Sequence, residues 1–252
     1  MRTLLLYLLP LAFFLQSSPA HAEGPEGSQG ALGAWLTEIT MKWATTANHD
    51  LTPDLRPGGG PLVTTPIEAL NAPAEVKALL RARVARQRGD DVSAAARPIP
   101  AVALLLSQLP RKVFPDEALR QRLALPPADV SGTALAKAKL LDTSWAGTRI
   151  GINATGLSRS FLLDGTSFIE LNEEDYRQRN GQIIQFEEAL NTRVNSSPAA
   201  ASTRRGVNGG GMATLIWATD AKFYSLTLVT DHGDAIVQGA ALLKRIAEGI
   251  EG

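Results

Sequence analysis

Cysteine is missing from all 252 residues. That excludes disulfide staples, thiol nucleophiles, Cys-ligated zinc and iron–sulfur clusters, so stability has to come from packing. Histidine is nearly as scarce. Of the three, His21 falls in a leader expected to be removed, which leaves His49 and His232. Zinc sites built on three histidines are excluded, and a serine–histidine triad has only two candidates for its base. Net charge is also missing, because 25 basic side chains balance 25 acidic ones. Nothing global therefore attracts nucleic acid. The apolar run from Leu4 to Leu15 is interrupted by Pro10. It is shorter than the roughly 20 residues that span a bilayer, and no other segment approaches that length.

What is present starts with MRTLLLYLLPLAFFLQSSPAHAEG. A basic Arg2, a short apolar core, a polar small-residue stretch and the A-x-A pattern at Ala20-His21-Ala22 predict a signal peptide over residues 1–22, cleaved to leave Glu23 first. Removal takes one basic residue and no acidic one, so 24 basic residues face 25 acidic ones, a net −1. The 18 arginines against 7 lysines suit a bacterial host. The expected location is the periplasm or the exterior, with no membrane span after signal removal.

The fold expected is α+β: a helical N-terminal half, then a small, mainly antiparallel sheet with a C-terminal helix packed on it. Residues 23–145 form the mostly helical region and 146–252 the α+β region, as one domain or two. Within the first region, Leu32, Trp35, Leu36, Ile39 and Trp43 share one face of a helix from Gln29 to Ala47. TPIE predicts a helix capped by Thr65, with Pro66 at its first position. The segment from Pro73 has an apolar face of Val76, Leu79, Leu80 and Val84. Its five positive charges from Lys77 to Arg88 read as a solvated face, with Arg83 turned toward the apolar side. Helices are expected over 98–110, after Pro115, and from Asp129 to Leu141. In the second region Asp164-Gly165 predicts a hairpin. MATLIWATD and KFYSLTLVTD predict two antiparallel strands, and residues 195–205 a mobile loop. Ile236, Ala240, Leu243, Ile246 and Ile250 mark the closing helix.

Four glycines fall within six residues of RRGVNGGGMATLIWATD, Arg204 to Asp220. A phosphate loop needs a helix N-terminus after it, and a P-loop needs lysine and hydroxyl residues at fixed offsets. Here a strand-like run follows, so the glycines are expected to allow a tight turn or close backbone approach. Arg204 and Arg205 are candidate contacts for an anionic partner.

Other candidate chemistry is thin. Asp231, His232 and Asp234 could act as general acid and base, although Asp231 and Asp234 are equally good helix caps. Glu170 and Glu173, with Glu174 and Asp175, form an acidic run that could supply a carboxylate pair for glycosidic cleavage, and is otherwise solvated surface. Trp217 and Tyr224 could hold a small ligand. No metal ligand set, cofactor loop or G-x-S-x-G is visible. The expected function is a soluble periplasmic or secreted protein binding another envelope or secreted protein, as a non-catalytic accessory or inhibitory subunit, without nucleic acid or cofactor. The alternative is a periplasmic hydrolase of cell-wall glycans or peptides that uses carboxylates and His232.

Overall fold

The computed structural model describes residues 6–8, 30, 33–35, 62–88, 97–123, 125–150, 153–177 and 182–250. In chain order the elements are β1 (Leu6–Leu8), β2 (Leu62–Thr65), α1 (Ala74–Arg88), α2 (Val102–Gln108) and α3 (Asp116–Arg122). Then come β3 (Lys139–Ile150), β4 (Asn153–Leu163), β5 (Ser167–Asp175), β6 (Gln182–Phe186), β7 (Thr192–Val194), β8 (Ser197–Arg205), β9 (Gly211–Ala218), β10 (Lys222–Thr230) and α4 (Ile236–Glu248). The chain divides into two compact units, Met1–Gln87 with Tyr176–Leu190, and Arg88–Asp175 with Asn191–Gly252.

The second unit is built on one antiparallel sheet of seven strands, in the order β3-β4-β5-β10-β9-β8-β7. Two tight turns set much of its register. Asp164 and Gly165 both take positive φ, 51° and 70°, and close the β4–β5 hairpin with Leu163 opposite Ser167, as the Asp-Gly pair predicts. Asn195 (φ 49°) closes β7 onto β8, with Val194 opposite Ser197. Strand alternation then sorts the side chains. Phe161 and Leu163 of β4, Ile169 and Leu171 of β5, Leu226 and Leu228 of β10, and Ala213 and Leu215 of β9 form one apolar face. Helix α4 covers it with Ile236, Leu243, Ile246 and Ala247, and Ala128 and Leu135 extend the cover. One end of the opposite face carries Phe168, Val229, Leu162 and Met212, beneath Ile99 and Val102.

The first unit holds a parallel sheet of three strands, β1-β6-β2. Val76, Leu80 and Val84 recur every four residues along α1 and pack with Trp35, Ile67, Leu70, Ile184 and Phe186. The Glu188 carboxylate accepts the Ile67 N–H at 3.0 Å. Glu68 pairs with Arg81, and its carbonyl accepts from Lys77 Nζ at 2.8 Å. Arg83 is half-buried, and its pKa is lowered by burial and then by Arg86.

The helical N-terminal half is not what the described residues show. The structure is mostly the large antiparallel sheet with a few helices. The apolar run 98–110 forms only the seven residues of α2, since Pro98, Pro100 and Pro110 bracket it and proline cannot continue a helix. TPIE gives one 3-10 turn, Ile67–Ala69; Thr65 ends β2 and caps nothing. Where a helix was expected from Asp129 to Leu141, a 3-10 turn at Ala134–Lys137 leads into β3. The β4 partner across β3 decides that outcome, because pairing overrides local propensity. Residues 195–205 are not a loop but strand β8, preceded by its turn. The small Ala199 and Ala201 lie under α4, so an alanine run that looks featureless in sequence is where a helix comes close. The helix expected from Gln29 to Ala47 lies largely outside the described residues, with Gly30 and Gly33–Trp35 helical. Trp43 and His49 lie outside them.

Candidate functional site

The expected chemistry falls at the two ends of the seven-stranded sheet. At the first end, β10 stops at Thr230 and the candidate turn follows. Asp231 Oδ1 accepts the Val102 N–H at 2.9 Å, which caps α2 from 129 residues away. The His232 backbone N–H donates to Thr230 Oγ1 at 3.2 Å, and its side chain makes no cap bond. Asp234 does not cap α4. The residue before that helix is Ala235, with no side-chain cap, and the exposed Asp234 carboxylate pairs instead with Arg205 at 3.0 Å.

The glycine loop adjoins this turn and explains its own composition. The Asn208 side-chain amide makes two bonds to one residue, Oδ1 accepting the Ile99 N–H at 3.0 Å and Nδ2 donating to the Ile99 carbonyl at 2.7 Å. The Gly233 N–H donates to the Gly209 carbonyl at 2.7 Å. A Cβ on Gly206 would lie 2.6 Å from the Ile99 nitrogen, so the loop admits the neighbouring chain only with glycine there. Strand β9 follows the glycines directly, where a phosphate loop needs a helix N-terminus. Arg204 is half-buried, its pKa lowered by burial and then by the charge of Arg97.

At the other end, the acidic run is not solvated. Glu173, Glu174 and Asp175 are all buried. Glu173, 3 % exposed, is the hub. Its Oε1 accepts from Arg159 at 2.9 Å, and its Oε2 accepts from Lys222 Nζ and from the Ala128 N–H, both at 2.8 Å. Arg159 also donates to the Ala128 carbonyl at 2.8 Å, and Lys222 Nζ to the Pro126 carbonyl. A buried acid between two buried cations, each bonded to backbone, satisfies the requirement that interior charges be paired. Thr155 Oγ1 donates to Glu174 Oε1 at 3.0 Å.

The candidate carboxylates do not make a glycosidase pair. Glu170 and Glu173 are three residues apart on one strand, so they face opposite sides of the sheet. Glu170 instead accepts from Ser158 Oγ at 3.0 Å. Thr230 and Tyr224, the partner of Glu173 across the strands, lie six residues apart on β10. That sets Glu173 about 20 Å from the His232 turn, at ~3.4 Å per residue. Glu173, Glu174, Asp175 and Lys222 do line a cavity, together with Leu123, Leu125, Thr155, Gly156 and Leu157, of about 10 Å³. That is room for about one water and not for a sugar ring. Trp217 and Tyr224 are buried and stacked on each other, 4.8 Å between ring centres. The Tyr224 hydroxyl has no hydrogen-bond partner among the described residues, and burial, then the charge of Glu173, push its pKa well above the usual tyrosine range.

A third contact lies at the β3 edge. Asp142 Oδ1 accepts the Lys112 N–H at 2.8 Å and Thr143 Oγ1 the Phe114 N–H at 2.6 Å. The Phe114 ring stacks on Trp145 with centres 4.6 Å apart. Side chains of the sheet thus hold residues 97–128 by their backbone at three places. Sequence reading missed Arg159, Lys222, Asn208, Asp142 and Thr143. One signal was available for two of them. Arg159 sits at the parity of Leu157, Phe161 and Leu163, and Lys222 at that of Tyr224, Leu226 and Leu228. A charge at core parity on a strand asks for an opposite charge at core parity on its neighbour, and Glu173 follows Ile169 and Leu171 in the same way.

Among the described residues no group of His, Asp and Glu is placed to hold a metal ion, and no helix is long and apolar enough to cross a membrane. Compared with protein-family models, with curated proteins and with solved structures, the chain matches none.

Proposed function

We propose that the protein works outside the cytoplasm as a non-catalytic partner of another envelope or secreted protein, as an accessory or inhibitory subunit. One observation carries the reading. Two of the side chains that resemble catalytic groups, Asp231 and Glu173, hold main chain, and they stand about 20 Å apart along β10. Asp231 caps α2, Asn208 holds Ile99, and Glu173 is enclosed by Arg159, Lys222 and Ala128. Among the described residues, four large apolar side chains stay in solvent: Val207 is 68 % exposed, Val237 65 %, Leu104 51 % and Val113 49 %, the first three within two residues of the 97–102, 206–210 and 231–235 segments. Exposed apolar side chains are available for a transient protein contact.

In-cell photo-crosslinking tests the proposal. A photoreactive residue at Val207 is expected to give a discrete adduct that the same residue at Asp220, at the opposite end of the sheet, does not give. The reading fails if purified protein releases reducing ends or new amino termini from cell-wall material and Glu173→Gln abolishes that release without moving the unfolding midpoint.

A further inference from the structure

Strand β6 has the composition of a strand flanked on both sides. Its sequence QIIQF puts Ile183 and Ile184 on opposite faces, and both are fully buried. Continuous apolar character belongs to interior strands of parallel sheets. Natural edge strands carry lysine, proline or a bulge against unwanted pairing, and β6 has none of these. One neighbour is β2, with Leu62 opposite Ile183 and Thr65 opposite Phe186. The other is β1, Leu6–Leu8, parallel and in register with Gln182–Ile184. That second neighbour lies inside the leader. If residues 1–22 are removed, β6 becomes an edge with unpaired main-chain groups and two apolar faces. A two-stranded parallel sheet is left, which is marginal by itself.

We infer that the mature chain binds its protein partner by strand addition at β6, taking an extended apolar segment of the partner, parallel to β6, in the place β1 occupies. The LYL strand shows what the slot accepts: three residues or more, apolar, running in the same direction as β6. Main-chain hydrogen bonds supply the affinity and alternate side chains the selectivity. The inference rests on reading residues 1–22 as a removed leader, and it adds to the proposed function a second contact, on the unit that holds β6, with its own partner chemistry. A second copy is a different occupant, because two-fold symmetry would pair two β6 edges antiparallel.

The test uses the chain recovered from the periplasm, weighed intact, and a lysine-flanked LLLYLLP peptide as probe, followed by fluorescence anisotropy. Two further peptides are N-methylated, one at the residues matching Leu6 and Leu8 and one at the residue matching Tyr7. In a strand these N–H groups point to opposite sides, so strand addition predicts that one peptide loses at least tenfold in affinity while the other binds like the parent. Equal losses, equal binding or no binding overturn the inference, as does a β6–β6 dimer in sedimentation. A recovered chain still carrying residues 1–22 overturns it together with the leader reading. A chain starting at Glu23 that ignores the peptide overturns the inference alone.

Discussion

The two ends of the seven-stranded sheet hold one stretch of chain, residues 97–128, by different chemistry. At the Thr230 end the holding groups are a cap and a side-chain amide. Asp231 takes the Val102 N–H, and Asn208 takes both backbone groups of Ile99. At the Lys222 end the holder is an ion cluster, in which Glu173 sits between Arg159 and Lys222 and all three reach the backbone at 126–128. The first end is partly wet, so each bond is worth little and its loss is local. The second is dry, so its charges depend on one another. The contrast shows why an acid–histidine turn and an acidic run, both suggestive in sequence, carry different energetic weight and no common chemistry.

The largest expected effect is at the dry end. Glu173→Ala leaves Arg159 and Lys222 buried without their counter-charge and should cost about 3–5 kcal/mol. Replacing Glu173, Arg159 and Lys222 together with apolar residues of similar size should be milder than Glu173→Ala alone, because no orphan charge remains. Urea midpoints at unchanged m-value decide both. If the triple variant is the worse one, the cluster contributes net stability of its own and the comparison changes.

At the wet end the effects are smaller. Asn208→Ala strands the Ile99 N–H and should cost about 1–2 kcal/mol. Asp231→Ala should cost about 1 kcal/mol through the lost cap, and Asp231→Asn should restore most of it. His232→Asn and Asp234→Ala should leave the midpoint where it is, since neither side chain caps an element and the Asp234 ion pair is in water. A drop for His232→Asn as large as that for Asp231→Ala would contradict the assignment of roles.

The smallest effect is at Tyr224, and its sign depends on pH. Burial raises the folded-state pKa above the unfolded value near 10. Below about pH 10 both states keep the proton and Tyr224 gives no pH dependence. Above it the unfolded chain releases a proton that the folded chain retains, so stability falls as pH rises. Tyr224→Phe should flatten that alkaline fall. At neutral pH it should be neutral or stabilising by up to about 1 kcal/mol, because the hydroxyl it removes has no partner among the described residues. Thermal unfolding at pH 7 and pH 11 measures both parts.

Local chemistry made some of this legible in the sequence. Asp164-Gly165, the pair of strands β9 and β10, and the period of α4 each depend on neighbours in sequence, and each was readable. Strand β8 was not, because SPAAASTRR is a strand only where α4 lies over its alanines. Nor was β3, whose pairing with β4 outweighs the helix-compatible residues before it. The polar clamps were hidden for a further reason. Glu173 meets Lys222 across 49 residues and Asn208 meets Ile99 across 109, so residue type alone does not separate a clamp from a catalyst. Parity does so in part. Arg159, Glu173 and Lys222 all stand at core positions of their strands, where a solvated charge would not sit.

Native-state hydrogen exchange at four amides tests the clamp account most directly. The N–H groups of Ile99, Val102, Lys112 and Ala128 all donate to sheet side chains from irregular chain or from the first position of α2. If side chains hold this stretch, these amides exchange far more slowly than the exposed turn amide of Gly165. Glu173→Ala should then release Ala128 selectively, and Asp231→Ala should release Val102. Exchange of all four at the rate of the Gly165 amide in the unaltered protein would contradict the account, and would return Asp231 and Glu173 to the residues available for chemistry.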